Sequence, residues 1–145
     1  MMAGEPDLSS FRSVFTEWVE ACWFAEREAA TRHLDALLGF PAEVLFVGSL
    51  SLLAQLLAVF APGAEAEVAR ALADHLIIAG PDPAREALIR DVVVAAGSNP
   101  TGRAALLGGH TAEAITGAAL ECASLFAQAM ANREGVVPSI ILEDL

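Results

Sequence analysis

The sequence predicts an all-α protein: a compact bundle of four to five helices around a central apolar helix at about residues 42–61, with an extended C-terminal tail. Three observations carry this. Residues 44–61, VLFVGSLSLLAQLLAVFA, hold no charge, and their only polar side chains are Ser49, Ser51 and Gln55. Apolar residues fall on every side of a helical wheel there, so a helix at this place needs cover all round. The flanking segments repeat apolar residues at three and four, the period of a helix face. Gly/Pro turns of ordinary length join them, with no repeat and no low-complexity linker. The domain reading is a flexible arm at 1–8, a helical bundle at 9–133 and an extended tail at 134–145.

Ser9 or Ser10 can cap the first helix, whose pattern runs to about Leu38. Phe11, Phe15, Trp18, Cys22, Ala25 and Ala29 are spaced four-three-four-three-four, a helical seam. Val14, Val19, Trp23 and Phe24 widen it beyond one face. Both Trp and three of the seven Phe lie between Phe11 and Phe24. Aromatic side chains carry large buried area and anchor interfaces. Phe11, Phe15, Trp18 and Trp23 are therefore interface candidates, against the plainer reading that they form the core. Gly39 ends this helix.

Pro41 suits the first turn of the central helix, where its missing N–H goes unused, and Pro62-Gly63 stops it. Eighteen apolar residues reach the lower edge of a membrane span. However, Glu43, Glu65 and Glu67 flank the run, and no Lys or Arg sits near either end to orient it. A buried central helix is expected instead.

A third helix is expected over about 64–79, with Glu65 and Glu67 at the positive end of its dipole. Its stripe is Val68, Leu72, Leu76 and Ala79, with His75 at the edge. Asp82-Pro83 opens a fourth helix as N-cap and first helical residue. Leu88, Ile89, Val92, Val93 and Val94 make its later half apolar. The Val triplet favours a strand by propensity, but the surrounding helix signals favour helix. Residues 101–107 read as a short helical piece or a loop. Thr111 can cap a fifth helix, which runs to about Asn132 on Ile115, Ala118, Ala119, Cys122, Leu125, Phe126 and Ala129. Gly135 ends it. The tail, VVPSIILEDL, is β-branched and interrupted by Pro138, so it is expected to lie extended over its own domain or a neighbour. Ile140, Ile141 and Leu142 join the interface candidates.

Composition sets limits on function. The chain has 145 residues, one domain by size, and 55% of them are hydrophobic. Mean hydropathy is +0.53. Part of that excess is Ala, about a fifth of the chain, which sits comfortably on surfaces. The remainder implies an apolar patch covered by a second copy or by another protein. Net charge is −11, all eight basic residues are Arg, and they are scattered. Nucleic acid needs a basic patch to neutralise phosphates, and an anionic membrane surface repels such a chain. The Ala, Arg, Gly and Val bias without Lys is associated with high-GC bacterial genomes. Cys22 and Cys122 read as buried free thiols in a reducing compartment. The acidic N-terminus lacks the apolar core of a signal peptide, so the expected location is the cytoplasm.

No catalytic, cofactor or metal motif stands out, and the expectation is no enzyme, no cofactor and no metal. His110-Thr-Ala-Glu113 reverses the Glu-x-x-His order of bundle metal sites and reads as capping. His33 and His75 lack a ligand partner at helical spacing. Gly48-Ser49-Leu50-Ser51 lacks the strand context of a nucleophile elbow. Two functions stay open. The first is a non-catalytic interaction or assembly protein, partnered by itself as a homodimer or higher, or by another protein. The second is a bundle that holds a small apolar ligand around Ser51, Gln55 and His75, where a buried Gln55 amide needs partners.

Overall fold

A computed structural model describes residues 8–64, 67–68, 71, 83–96, 107–143 and 145. Among them six helices have defined ends and there is no strand: α1 (Leu8–Trp23), α2 (Arg27–Leu38), α3 (Ala42–Phe60), α4 (Pro83–Ala96), α5 (Ala112–Glu134) and α6 (Pro138–Glu143). The chain is all-α. Of the arm expected at 1–8, all but Leu8, which opens α1, lies outside the described residues, as does most of the third expected helix, including His75.

The first helix is not continuous to Leu38. It breaks at Ala25, which has a left-handed φ of 56°. The Glu26 amide donates to the Ala21 carbonyl at 2.9 Å and the Ala25 amide to the Cys22 carbonyl at 3.2 Å. This pair of bonds is a Schellman ending, normally built on Gly. With Ala in the left-handed position, the local sequence carries no stop signal. α2 then returns along α1, and His33 Nδ1 lies 3.4 Å from Glu17 Oε2 across the pair.

α3 packs chiefly on α5, then on α4 and α1. Val44, Leu45, Leu50, Leu52, Leu53, Leu56 and Leu57 enter the core, with Gly48 and Ser49. The Ser49 hydroxyl donates to the Phe46 carbonyl one turn back, at 3.2 Å, which satisfies it inside the core. Cover is not complete, because Gln55, Ala58 and Val59 face out. Among the described residues, α3 and α5 are the two helices long and apolar enough to cross a membrane, by length and composition alone. About half of the most apolar stretch of each is buried inside the protein, 50% and 56%.

α4 is a helix through its Val triplet. Ile89, Val92, Val93 and Ala96 recur at three, one and three on one buried face, while Val94 points out. α5 has the ends its sequence suggests: the Ala114 amide donates to the Thr111 hydroxyl at 3.1 Å, and Gly135 takes a left-handed φ of 70°.

The tail is a helix rather than an extended strand. Pro138 occupies the first helical position, where it is harmless. Ile141 and Leu142 are buried, and α6 docks on α1 and α5 of its own chain. Glu20 Oε1 accepts from the Ser139 amide at 3.2 Å. Arg12 Nη2 donates to the Leu142 carbonyl and, at 3.1 Å, to the Leu145 carbonyl. An acid thus meets the positive end of the short helix and a base its negative end, the arrangement its dipole favours. Tertiary docking overrides the β-branched propensity of the segment.

Candidate functional site

Two concave features draw on residues the sequence singles out. The first is a cleft between α1 and α3. Phe11 lies against the backbone of Gly48 so closely that a Cβ there would fall 2.6 Å from the ring. That contact brings the two helices together at one point. Beyond it, Ser9 and Arg12 project from one face of α1 and Ser51 and Gln55 from one face of α3, at helical spacing. With Phe11 and Leu52 they line a cleft of about 270 Å³. Arg12 is the sole charged residue among the described residues of this lining.

The second is an apolar groove of about 620 Å³. Trp23 at the end of α1, Val68, and Leu125, Phe126 and Met130 on α5 form its walls, with Glu67, Gln128 and Asn132 among its polar groups. Gln128 Nε2 donates to Ser124 Oγ at 3.0 Å, so this amide is anchored to its own helix. Next to Trp23 in the chain, Phe24 is 54% exposed.

The interface candidates separate. Phe11 and Phe15 are 1% and 0% exposed and stack on each other with centroids 6.2 Å apart. Ile141 and Leu142 are likewise closed into the core. These four serve the internal packing and are not on a surface. Trp18 is partly buried, edge-on to Phe15 at 5.8 Å. Trp23 is partly buried in the groove wall, and Ile140 is 45% exposed on the outer face of α6.

Of the ligand candidates, Ser51 and Gln55 share the α1–α3 cleft. Gln55 is exposed, so the premise of a buried amide in need of partners fails: α3 is left bare on that side. Arg12, Ser9 and Gly48 are the members of the cleft that sequence reasoning missed. Their spacing is readable, but which face of α1 meets which face of α3 is not.

The thiols differ from expectation. Neither is in a disulfide, and Cys122 is buried, but Cys22 is exposed. Partial desolvation among its neighbours pushes the Cys22 thiol above its ordinary range, opposite to the electropositive setting a nucleophilic thiolate wants. His110 Nε2 lies 2.9 Å from Asp91 Oδ2, joining the start of α5 to α4. Among the described residues no group of three His, Cys, Asp or Glu gathers as a metal site.

Comparison of the chain with protein-family models, with curated proteins and with solved structures finds no match in any of the three.

Proposed function

We propose that the chain is a compact helical bundle of four to five helices around α3, and that it works without catalysis, by associating with a second copy of itself. The observation that carries this reading is the pairing of a projection with a recess. Phe24 stands more than half exposed at the α1–α2 turn, and the apolar groove walled by Trp23, Leu125 and Met130 begins beside it. A patch with both features is self-complementary about a two-fold axis, each Phe24 entering the other groove. Aromatic anchors seated in desolvated pockets dominate such contacts. The apolar excess of the composition supports the same reading, as does an acidic surface unsuited to nucleic acid. Two thiols outside any disulfide fit a reducing cytoplasm. Association with a different protein is the variant in which the same groove takes a foreign aromatic residue.

The test is sedimentation equilibrium of the full chain over micromolar concentrations. A reversible dimer is expected, and Phe24→Glu, at an exposed site outside the core, should raise its dissociation constant at least ~10-fold. A monomer across the range, or a dimer indifferent to Phe24→Glu, removes the proposal.

A further inference from the structure

We propose that the cleft between α1 and α3 binds a small carboxylate carrying a short apolar body, with Arg12 as its anion-recognising group. The reading is independent of self-association and rests on four features.

The first is charge. The chain has 19 acidic residues against eight basic ones, yet among the described residues that line this cleft there is one Arg and no acid. On so acidic a protein, an Arg placed among Ser and Gln side chains gives the cleft a local positive group.

The second is convergence. Ser9 and Arg12 are three apart on α1, and Ser51 and Gln55 are four apart on α3. Two hydroxyls, an amide and a guanidinium therefore face one space from two rigid helices, whose approach is set by the Phe11–Gly48 contact. Elements fixed in this way hold polar groups in place before a ligand arrives.

The third is donor capacity. A guanidinium has five N–H donors. Among the described residues Arg12 is engaged through Nη2, on the Leu142 and Leu145 carbonyls. Nε and Nη1 are left to meet an oxyanion, and charge-assisted bonds of this kind are about twice as strong as neutral ones. The carbonyls of the tail also hold the guanidinium in position.

The fourth is size and lining. The volume of about 270 Å³ equals the liquid share of about nine waters, enough for a single small ring or a short chain. Phe11 and Leu52, nearly closed at 1% and 4% exposure, form the apolar floor of the cleft. The one guanidinium matches the single charge of a monocarboxylate, which its planar fork can meet with two parallel bonds.

The experiment titrates the uniformly ¹⁵N-labelled full chain with benzoate and, separately, with benzamide, its neutral counterpart. Saturable amide shifts centred on residues 9–12 and 48–55 are expected with benzoate, at a dissociation constant on the order of 1 mM. Benzamide should bind at least ~10-fold more weakly. Arg12→Gln removes the charge but also touches the tail, so Ser51→Leu supplies a second variant that fills the cleft and leaves the tail contacts alone. Loss of benzoate binding in Ser51→Leu, with its thermal melt preserved, supports the site. Three results overturn it: no saturable shift in that region, equal binding of benzamide, or unchanged benzoate affinity in Ser51→Leu.

Discussion

Gly48 lacks a side chain where Phe11 needs the space. A Cβ would fall 2.6 Å from ring atoms of a residue only 1% exposed. Ring atoms as far back as Cγ crowd the position, so the ring or a helix must shift, and overpacking of this kind destabilises by about 1–3 kcal/mol. Gly48→Ala should lower the denaturant midpoint accordingly, and adding Phe11→Leu should return part of the loss. Strict additivity of the two changes would show that they do not touch. Cys22 gives a second residue-scale expectation. Its thiol is held above the ordinary range by desolvation, so at neutral pH it should react with an aromatic disulfide reagent more slowly than a free thiol does. The folded state keeps this proton to higher pH than the unfolded state. Any contribution to stability is thus complete below the ordinary thiol range and declines as pH rises through the alkaline side. Little at this scale was readable beforehand. In sequence, Gly48 is one small residue in an apolar run, and Ala25 is an ordinary helix former that happens to hold a left-handed turn.

Helix ends were the legible part at the next scale up. Thr111 and Gly135 bound α5 through the cap bond and left-handed φ that their residue types favour. Thr111→Ala should cost about 1 kcal/mol in urea unfolding while Thr111→Ser stays near neutral; equal losses would mean that the methyl, not the hydroxyl, matters. The bounds of α3 and the helical state of α4 also follow from local signals. The two elements misread share the lack of a local signal. The α1–α2 break and the α6 helix are decided by partners distant in sequence or by an atypical residue in a special conformation, neither of which leaves a local pattern. α6 is six residues long, too short to be stable alone, and it exists because Arg12 and Glu20 meet its two ends.

For the whole molecule, the readable feature was that α3 is central; the hidden one was which side of it stays bare. An apolar run gives no direction, so Gln55 and Val59 could not be placed outside by pattern alone. The same limit applies to both concave features, since each is made by the approach of elements and not by a motif. Net charge bears on association directly. Two chains of −11 each repel, and the screening length falls from about 10 Å at 0.1 M salt to about 3 Å at 1 M. Added sodium chloride should therefore tighten the proposed dimer. Weakening by salt, read in the same sedimentation experiment, would instead indicate opposite charges meeting across the contact.

The docking of α6 on α1 also sets an order of events during synthesis. The residues that hold it are separated by 119 and 130 positions. At about 5–20 residues per second, the ribosome delivers α6 roughly 6–26 s after the α1 residues it will meet. For that interval the side of α1 that receives α6 stands without its final neighbour.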